Sequence, residues 1–187
     1  MPQPRTVAVI VGSLRKDSVT RKVARAIEAL APPTLKFEEV PIGDLPLYNQ
    51  DIEEHPPAAY VAFRDRVRAA DAVLFATPEY NRSVPGALKN AIDVGSRPYG
   101  QSVWNAKPAA VVSVSPGAIG AFGANHHLRQ SLVFLNMPVL QHEAYVGNAF
   151  SLFDEKGELT NEGTAEFLRA LGQTFADWID KTIDQKA

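Results

Sequence analysis

Thr77-Pro78-Glu79-Tyr80-Asn81-Arg82-Ser83-Val84-Pro85-Gly86 is the stretch on which the fold turns. It follows Ala72-Val73-Leu74-Phe75-Ala76, a short apolar run that reads as a strand buried on both faces. It precedes Ala87–Asp93, which reads as a helix, with Pro85 suited to the first helical position. A loop leaving the carboxyl end of a central parallel strand is where open α/β sheets place their ligands.

Working outward, the same alternation recurs along the chain. Thr6–Val11 is a continuous β-branched and apolar run ending at Gly12 and reads as a buried parallel strand. Val19–Leu30 has helical spacing, with Val19, Val23, Ile27 and Leu30 on one face, and Pro32-Pro33 stops it. Leu35–Val40 reads as strand two, and 41–55 as a polar, proline-marked connection. Ala58–Ala70 is helical, with Val61, Phe63 and Val67 as core positions. Ala72–Thr77 is strand three, Pro85–Gly95 helix three and Ala109–Val114 strand four. Asn125–Leu135 is helix four, Pro138–Leu140 begins strand five, and Thr160–Thr182 is a long amphipathic helix. Strands alternating with helices predict an α/β fold: a flavodoxin-like, doubly wound, five-stranded parallel sheet of order 2-1-3-4-5, in one domain over 1–187. The loops at 41–55, 96–107 and 146–159 exceed the usual length, and such loops more often carry function.

Composition narrows the function classes. Of the 187 residues 45% are hydrophobic and 21% charged, as in ordinary soluble proteins. The net charge of −2 gives no electrostatic case for nucleic acid or an anionic membrane. No apolar run approaches the ~20 residues of a membrane span, and Met1–Arg5 lacks signal-peptide character; the expected location is the cytoplasm. Cysteine is absent, which excludes disulfides, thiolate nucleophiles and cysteine-held metal clusters. Adjacent His126 and His127 diverge by about 100 degrees on a helix and cannot chelate one metal. His55 and His142 lack partners in sequence, so no metal site is expected. No G-x-S-x-G elbow is present. Redox chemistry in this chain would need a bound cofactor.

Three loops could form one crevice. Gly12–Thr20 joins strand one to helix one, the usual seat of a phosphate at a helix N-terminus. It is neither a Walker A loop nor a dinucleotide fingerprint, since Gly12 is its only glycine. Its hydroxyls, from Ser13, Ser18 and Thr20, together with the guanidinium of Arg15, suit a single terminal phosphate. The alternative for Ser18 is a plain helix N-cap. Tyr80 and Asn81 suit the face and edge of a flat polar ring such as a flavin, whose electronics nearby backbone N–H groups would tune. The alternative is a proline-bracketed turn with Glu79 and Arg82 solvated. Small residues in Ser113–Ala121 allow close approach of a ring or ribityl chain, or make only a tight turn. Strands one, three and four are neighbours in the expected order, so the three loops converge.

These residues resemble the NADPH-dependent flavin mononucleotide (FMN) reductase family, in particular its bacterial quinone and chromate reductase branch. The resemblance rests on Gly12–Arg15 through Ser18, on Thr77–Asn81 with Ser83–Gly86 and Leu88–Asp93, on Ser96-Arg97-Pro98, on Gly117–Gly120 and on His127–Gln130. It implies noncovalent FMN, with Ser13, Arg15, Ser18 and Thr20 on the phosphate. Pro78, Glu79, Tyr80, Asn81 and Arg82 would line the isoalloxazine, and Ser113, Ser115 and Gly117 would flank the other side. It implies ping-pong transfer from NADPH or NADH to a quinone, with no obligatory protein acid or base, side reduction of metal oxyanions or azo and nitro compounds, and a homodimer or homotetramer. Helices three and four, with Phe122, Leu132 and Phe134, would contribute to that contact, the alternative being that these residues pack within their own subunit. A flavodoxin-type electron carrier or a flavin-binding regulatory module are the alternatives; a net charge of −2 and Arg15 in the loop count against the carrier. Arg97 is expected either to draw an anionic acceptor or nucleotide phosphate to the crevice or to be a solvated or ion-paired arginine. Four positions depart from the family pattern: Thr20 for a common asparagine, Val94 for a frequent tryptophan, and Gly123 and His126 for an arginine and a tyrosine used in tetramer contacts.

Overall fold

The computed structural model describes residues 4–184; Met1–Gln3 and Gln185–Ala187, which the expected domain and the N-terminal reading include, lie outside the described residues. Five strands pair in the order β2-β1-β3-β4-β5: β1 (Arg5–Val11), β2 (Leu35–Glu39), β3 (Ala72–Thr77), β4 (Ala109–Val114) and β5 (Ala144–Val146). Every pairing is parallel. The helices are α1 (Val19–Leu30), α2 (Ala58–Ala69), α3 (Gly86–Gly95), α4 (Phe122–Phe134) and α5 (Glu162–Asp184).

All six residues of β3 and all six of β4 are buried, as strands covered on both faces require. Alternate side chains feed two cores. Val7, Val9, Leu74 and Val112 pack with α1 and α5; Ala8, Ile10, Phe75 and Val111 pack with α2, α3 and α4. On α2, Phe63 and Val67 are buried as expected, but Val61 is exposed and Tyr60 takes its core place. Val94 is fully buried, and the bulk near it comes from the 96–107 loop. The Trp104 indole packs on Phe63 and Phe75 and donates to the Ile92 carbonyl at 2.9 Å. A Cβ at Gly95 would fall on that indole, so the helix keeps a glycine there.

Two boundaries differ by more than two residues from the expected ones. Residues 138–140 reach the sheet only through a parallel bridge between Ala109 and Val139; the strand proper begins at Ala144. The cause is Arg129, whose guanidinium donates to the carbonyls of Leu140 at 2.8 Å and His142 at 2.9 Å and so draws 140–142 off the ladder. Burial pushes the pKa of Arg129 down. Helix α4 starts at Phe122, three residues earlier than its own sequence suggests, because its cap comes from elsewhere. Ala121 is left-handed with no capping side chain, while Glu79 Oε2 accepts from Ala124 N at 3.1 Å.

Replacing Arg129 with methionine strands two carbonyls and the Asn125 amide oxygen, which accepts from Arg129 Nε at 2.8 Å. Urea denaturation is expected to show a loss of about 2–3 kcal/mol.

Candidate functional site

The loops after β1, β3 and β4 meet at one edge of the sheet. The registers Val11↔Ala76 and Thr77↔Ser113 set their starts nearly level. Between them lies a cleft of about 230 Å³. Its first wall is Ser13, Arg15, Ser18, Val19 and Thr20; its second is Pro78, Glu79 and Tyr80; its third is Val114, Ser115, Pro116 and Phe150. A second hollow, between Leu14, Arg15, Tyr80, Pro85, Gly86 and Ala87, adjoins it through Arg15 and Tyr80.

The first loop is held from behind by Arg21. Its Nη1 donates to the Arg15 carbonyl at 3.0 Å, its Nη2 to the Ser13 carbonyl at 3.2 Å, and its Nε to Glu39 Oε1 at 2.9 Å. Ser18 caps α1, accepting from Arg21 N at 3.2 Å, so its hydroxyl is already engaged. Ser13 and Thr20 are 3% and 2% exposed, yet their hydroxyls bond to no other described residue. Arg15 is exposed and forms no ion pair among the described residues. Nearly buried hydroxyls open to a cleft, beside a free guanidinium and a helix N-terminus, are the donor set that suits a phosphate.

The second loop is a tight hairpin. Tyr80 and Ser83 exchange N–H to carbonyl bonds at 3.0 Å in both directions. The central residues Asn81 and Arg82 sit at φ of 51° and 63°, a conformation that favours asparagine or glycine and is costly for arginine. Asn81 and Arg82 are therefore turn residues beyond the cleft wall, with the Arg82 side chain exposed and 3.3 Å from Glu79 Oε1. Glu79 touches the cleft, but its carboxylate is spent on Arg82 and the start of α4. A Cβ at Gly123 would lie 2.6 Å from the Arg82 carbonyl oxygen, so α4 and this turn are in backbone contact and no side chain fits between them. His127 Nδ1 lies 3.0 Å from Ser83 Oγ and fastens the far side of the turn.

Ser115 lines the third wall and donates to the Gly117 carbonyl at 2.9 Å. Ser113 and Gly117 do not line the cleft. Ser113 is fully buried, donating to the Gly120 carbonyl at 2.7 Å and accepting from Asn125 Nδ2 at 3.0 Å. Gly117 offers its carbonyl to Gly120 N and Asn148 N, which folds the turn onto β5. Gly120 must be glycine: φ is +62° and a Cβ would meet the Tyr145 Cβ at 2.8 Å. Burial and a hydrogen bond to Glu143 push the Tyr145 hydroxyl up to about 12, so it stays protonated and donates at 2.5 Å.

Arg97 stands outside the cleft lining and is ion-paired with Glu53. Its Nε lies 2.6 Å from Glu53 Oε1, and Tyr48 donates to the same carboxylate oxygen at 2.6 Å. Hydrogen bonds from Arg97 and then Tyr48 hold the Glu53 carboxyl below its ordinary pKa. Asn90 anchors the same connection, accepting from Tyr48 N and donating to the Pro46 carbonyl. Phe150 and Arg21 are the participants the motifs do not mark; the length of the 146–159 loop is the only signal for the former. Among the described residues no three His, Asp or Glu side chains converge as a metal site.

Residues 5–151 match the family model described as NADPH-dependent FMN reductase. The chain belongs to the NADPH-dependent FMN reductase family. A Pseudomonas putida quinone reductase is 65% identical over 96% of this chain and 97% of its own. A 2-hydroxy-1,4-benzoquinone reductase from a Burkholderia species is 44% identical over 92% and 95%. The solved structure of FerB, a flavoenzyme NAD(P)H:(acceptor) oxidoreductase from Paracoccus denitrificans, superposes with a TM-score of 0.90 at 45% identity, covering 95% of this chain and 98% of that one. The chain is thus an oxidoreductase with FMN as cofactor and NAD(P)H as electron donor. The cleft fits FMN by its own chemistry: one phosphate-sized donor set, no glycine-rich pyrophosphate cradle, and an aromatic wall beside it.

Thr20→Val keeps the shape of a buried side chain and removes its hydroxyl. Fluorescence titration of apoprotein is expected to show FMN affinity about tenfold weaker, with riboflavin affinity unchanged.

Proposed function

We propose that this protein is an FMN-dependent NAD(P)H:quinone reductase, working by ping-pong two-electron transfer, with residues 1–187 acting as a single FMN-binding domain. The observation that carries the reading is the cleft itself: free donors at one end and the Tyr80 turn at the other, in a chain close to two quinone reductases. Ser13, Arg15 and Thr20 hold the phosphate, and Ser18 supports them by fixing the helix start. Pro78, Glu79 and Tyr80 seat the ring system, braced by Asn81 and Arg82, while Ser115 closes the opposite side and Ser113 and Gly117 hold its turn in place. FMN, when bound, supplies hydride acceptance and two-electron donation.

The protein's contribution is positioning and electrostatics. Arg21 keeps the phosphate loop closed before a ligand arrives. The turn bonded to α4 keeps Tyr80 half-exposed, so a flat donor or acceptor can reach the ring position. One open face serves donor and acceptor in succession, which is the reason for ping-pong order. The same openness supports slower reduction of chromate or other metal oxyanions and of azo or nitro compounds. Cytoplasmic residence is part of this reading; among the described residues no helix is long and apolar enough to cross a membrane.

The test is anaerobic mixing of the FMN-loaded protein with NADPH and then with a benzoquinone. Flavin absorbance is expected to bleach within the turnover time and to return on quinone addition, with parallel double-reciprocal plots. A flavin that NADPH leaves oxidised would contradict the enzyme and favour an electron carrier.

The partner surface is proposed on α4. Leu132 is core, whereas Phe134 is 87% exposed and Phe122 and Val133 are also open. Because α4 touches the Tyr80 turn, a second copy on this face would lie beside the cleft, giving a homodimer, or a homotetramer built as a dimer of dimers. Light scattering of Phe134→Glu is expected to show monomer where the native chain is dimeric; an unchanged mass would exclude this face.

A further inference from the structure

The largest of the described cavities is not the cleft. It measures about 390 Å³ and shares no lining residue with it. That volume lies within the range of small-molecule sites. Its floor is apolar: Ala26, Ala29 and Leu30 from α1, Phe153 and Leu159 from the 146–159 loop, and Ala165 from α5.

The loop wall is built. Phe153 and Leu159 form an antiparallel bridge. Within it, Asp154 N donates to the Glu158 carbonyl at 3.0 Å, and Glu158 N to Asp154 Oδ1 at 2.9 Å. Gly157 turns at φ +83°, which lets the backbone pass against the Lys22 stem.

Three cations rim this floor: Lys22, Arg25 and Lys156. None has a carboxylate within ion-pair distance among the described residues. Lys22 Nζ instead lies 5.9 Å from the Phe153 ring centroid. Glu158 is the single acid in the lining. A chain of net charge −2 thus collects an excess of cations around this apolar hollow.

We propose that this cavity binds a monomeric amphiphilic anion, an apolar alkyl or aryl body carrying one carboxylate or sulfonate. The body covers the floor between α1 and Phe153, and the head group meets Lys22, Arg25 and Lys156. A polyphosphate would leave the floor bare, and a cationic amphiphile would be repelled at the rim. Helix α1 carries Val19 and Thr20 to the cleft and residues 22–30 to this cavity, so the two sites share one rigid element.

Isothermal titration of the FMN-loaded protein with dodecanoate below its micellar concentration tests the proposal, with dodecyltrimethylammonium as the equal-tail control. The expected result is saturable uptake of one dodecanoate per chain, no saturable uptake of the ammonium compound, and affinity at least about tenfold lower in K22Q/R25Q/K156Q. A second variant, Ala29→Trp, fills the floor without touching a charge and is expected to abolish uptake; flavin absorbance reports that both variants remain folded. Absence of saturable uptake, equal uptake of the two amphiphiles, or undiminished affinity in either variant overturns the proposal.

Discussion

Everything at the site depends on parallel pairing of three strands buried on both faces. β1, β3 and β4 have no solvent-facing side, so their order and register are held by two cores at once. Slipping any of them by one residue would exchange the cores' side chains. Their carboxyl ends therefore stay level, and the chain has to leave all three at the same edge. The cleft is the space left by three exits that cannot move apart.

Each exit is then tied by a polar group spent internally. Arg21 holds the carbonyls of the first loop, Glu79 joins the second to α4, and Ser113 with Asn125 binds the third to its own turn and to β5. The donors left over at the cleft are few. Ser13, Thr20 and Arg15 bring to the cleft side-chain donors that no other described residue uses. Pre-formed donors of this kind favour a charged ligand group without reorganisation on binding.

The strands that matter most were legible because burial on both faces writes a continuous apolar run, as in Val7–Val11 and Ala72–Ala76. Edge strand β5 was not, since a side chain on α4 decides where it pairs. The start of α4 was hidden for the same reason: its cap lies 45 residues upstream. Among the expected site residues, Ser13, Arg15, Ser18, Thr20, Pro78, Glu79, Tyr80 and Ser115 line the cleft. Asn81, Arg82, Ser113 and Gly117 instead hold its walls in shape, and a linear motif cannot separate a residue that touches a ligand from one that shapes the turn beside it. Arg97 shows the same limit, because its partner Glu53 comes from a loop with no periodic signal.

On the proposed reading, the Gly12–Thr20 loop recognises one terminal phosphate and thereby selects the mononucleotide flavin. Parallel titration of the native apoprotein with FMN and with riboflavin isolates that contribution, because the ring and ribityl chain are common to both. One FMN per chain is expected to bind about a hundredfold more tightly than riboflavin, roughly 2.7 kcal/mol. Equal affinity for the two would contradict it.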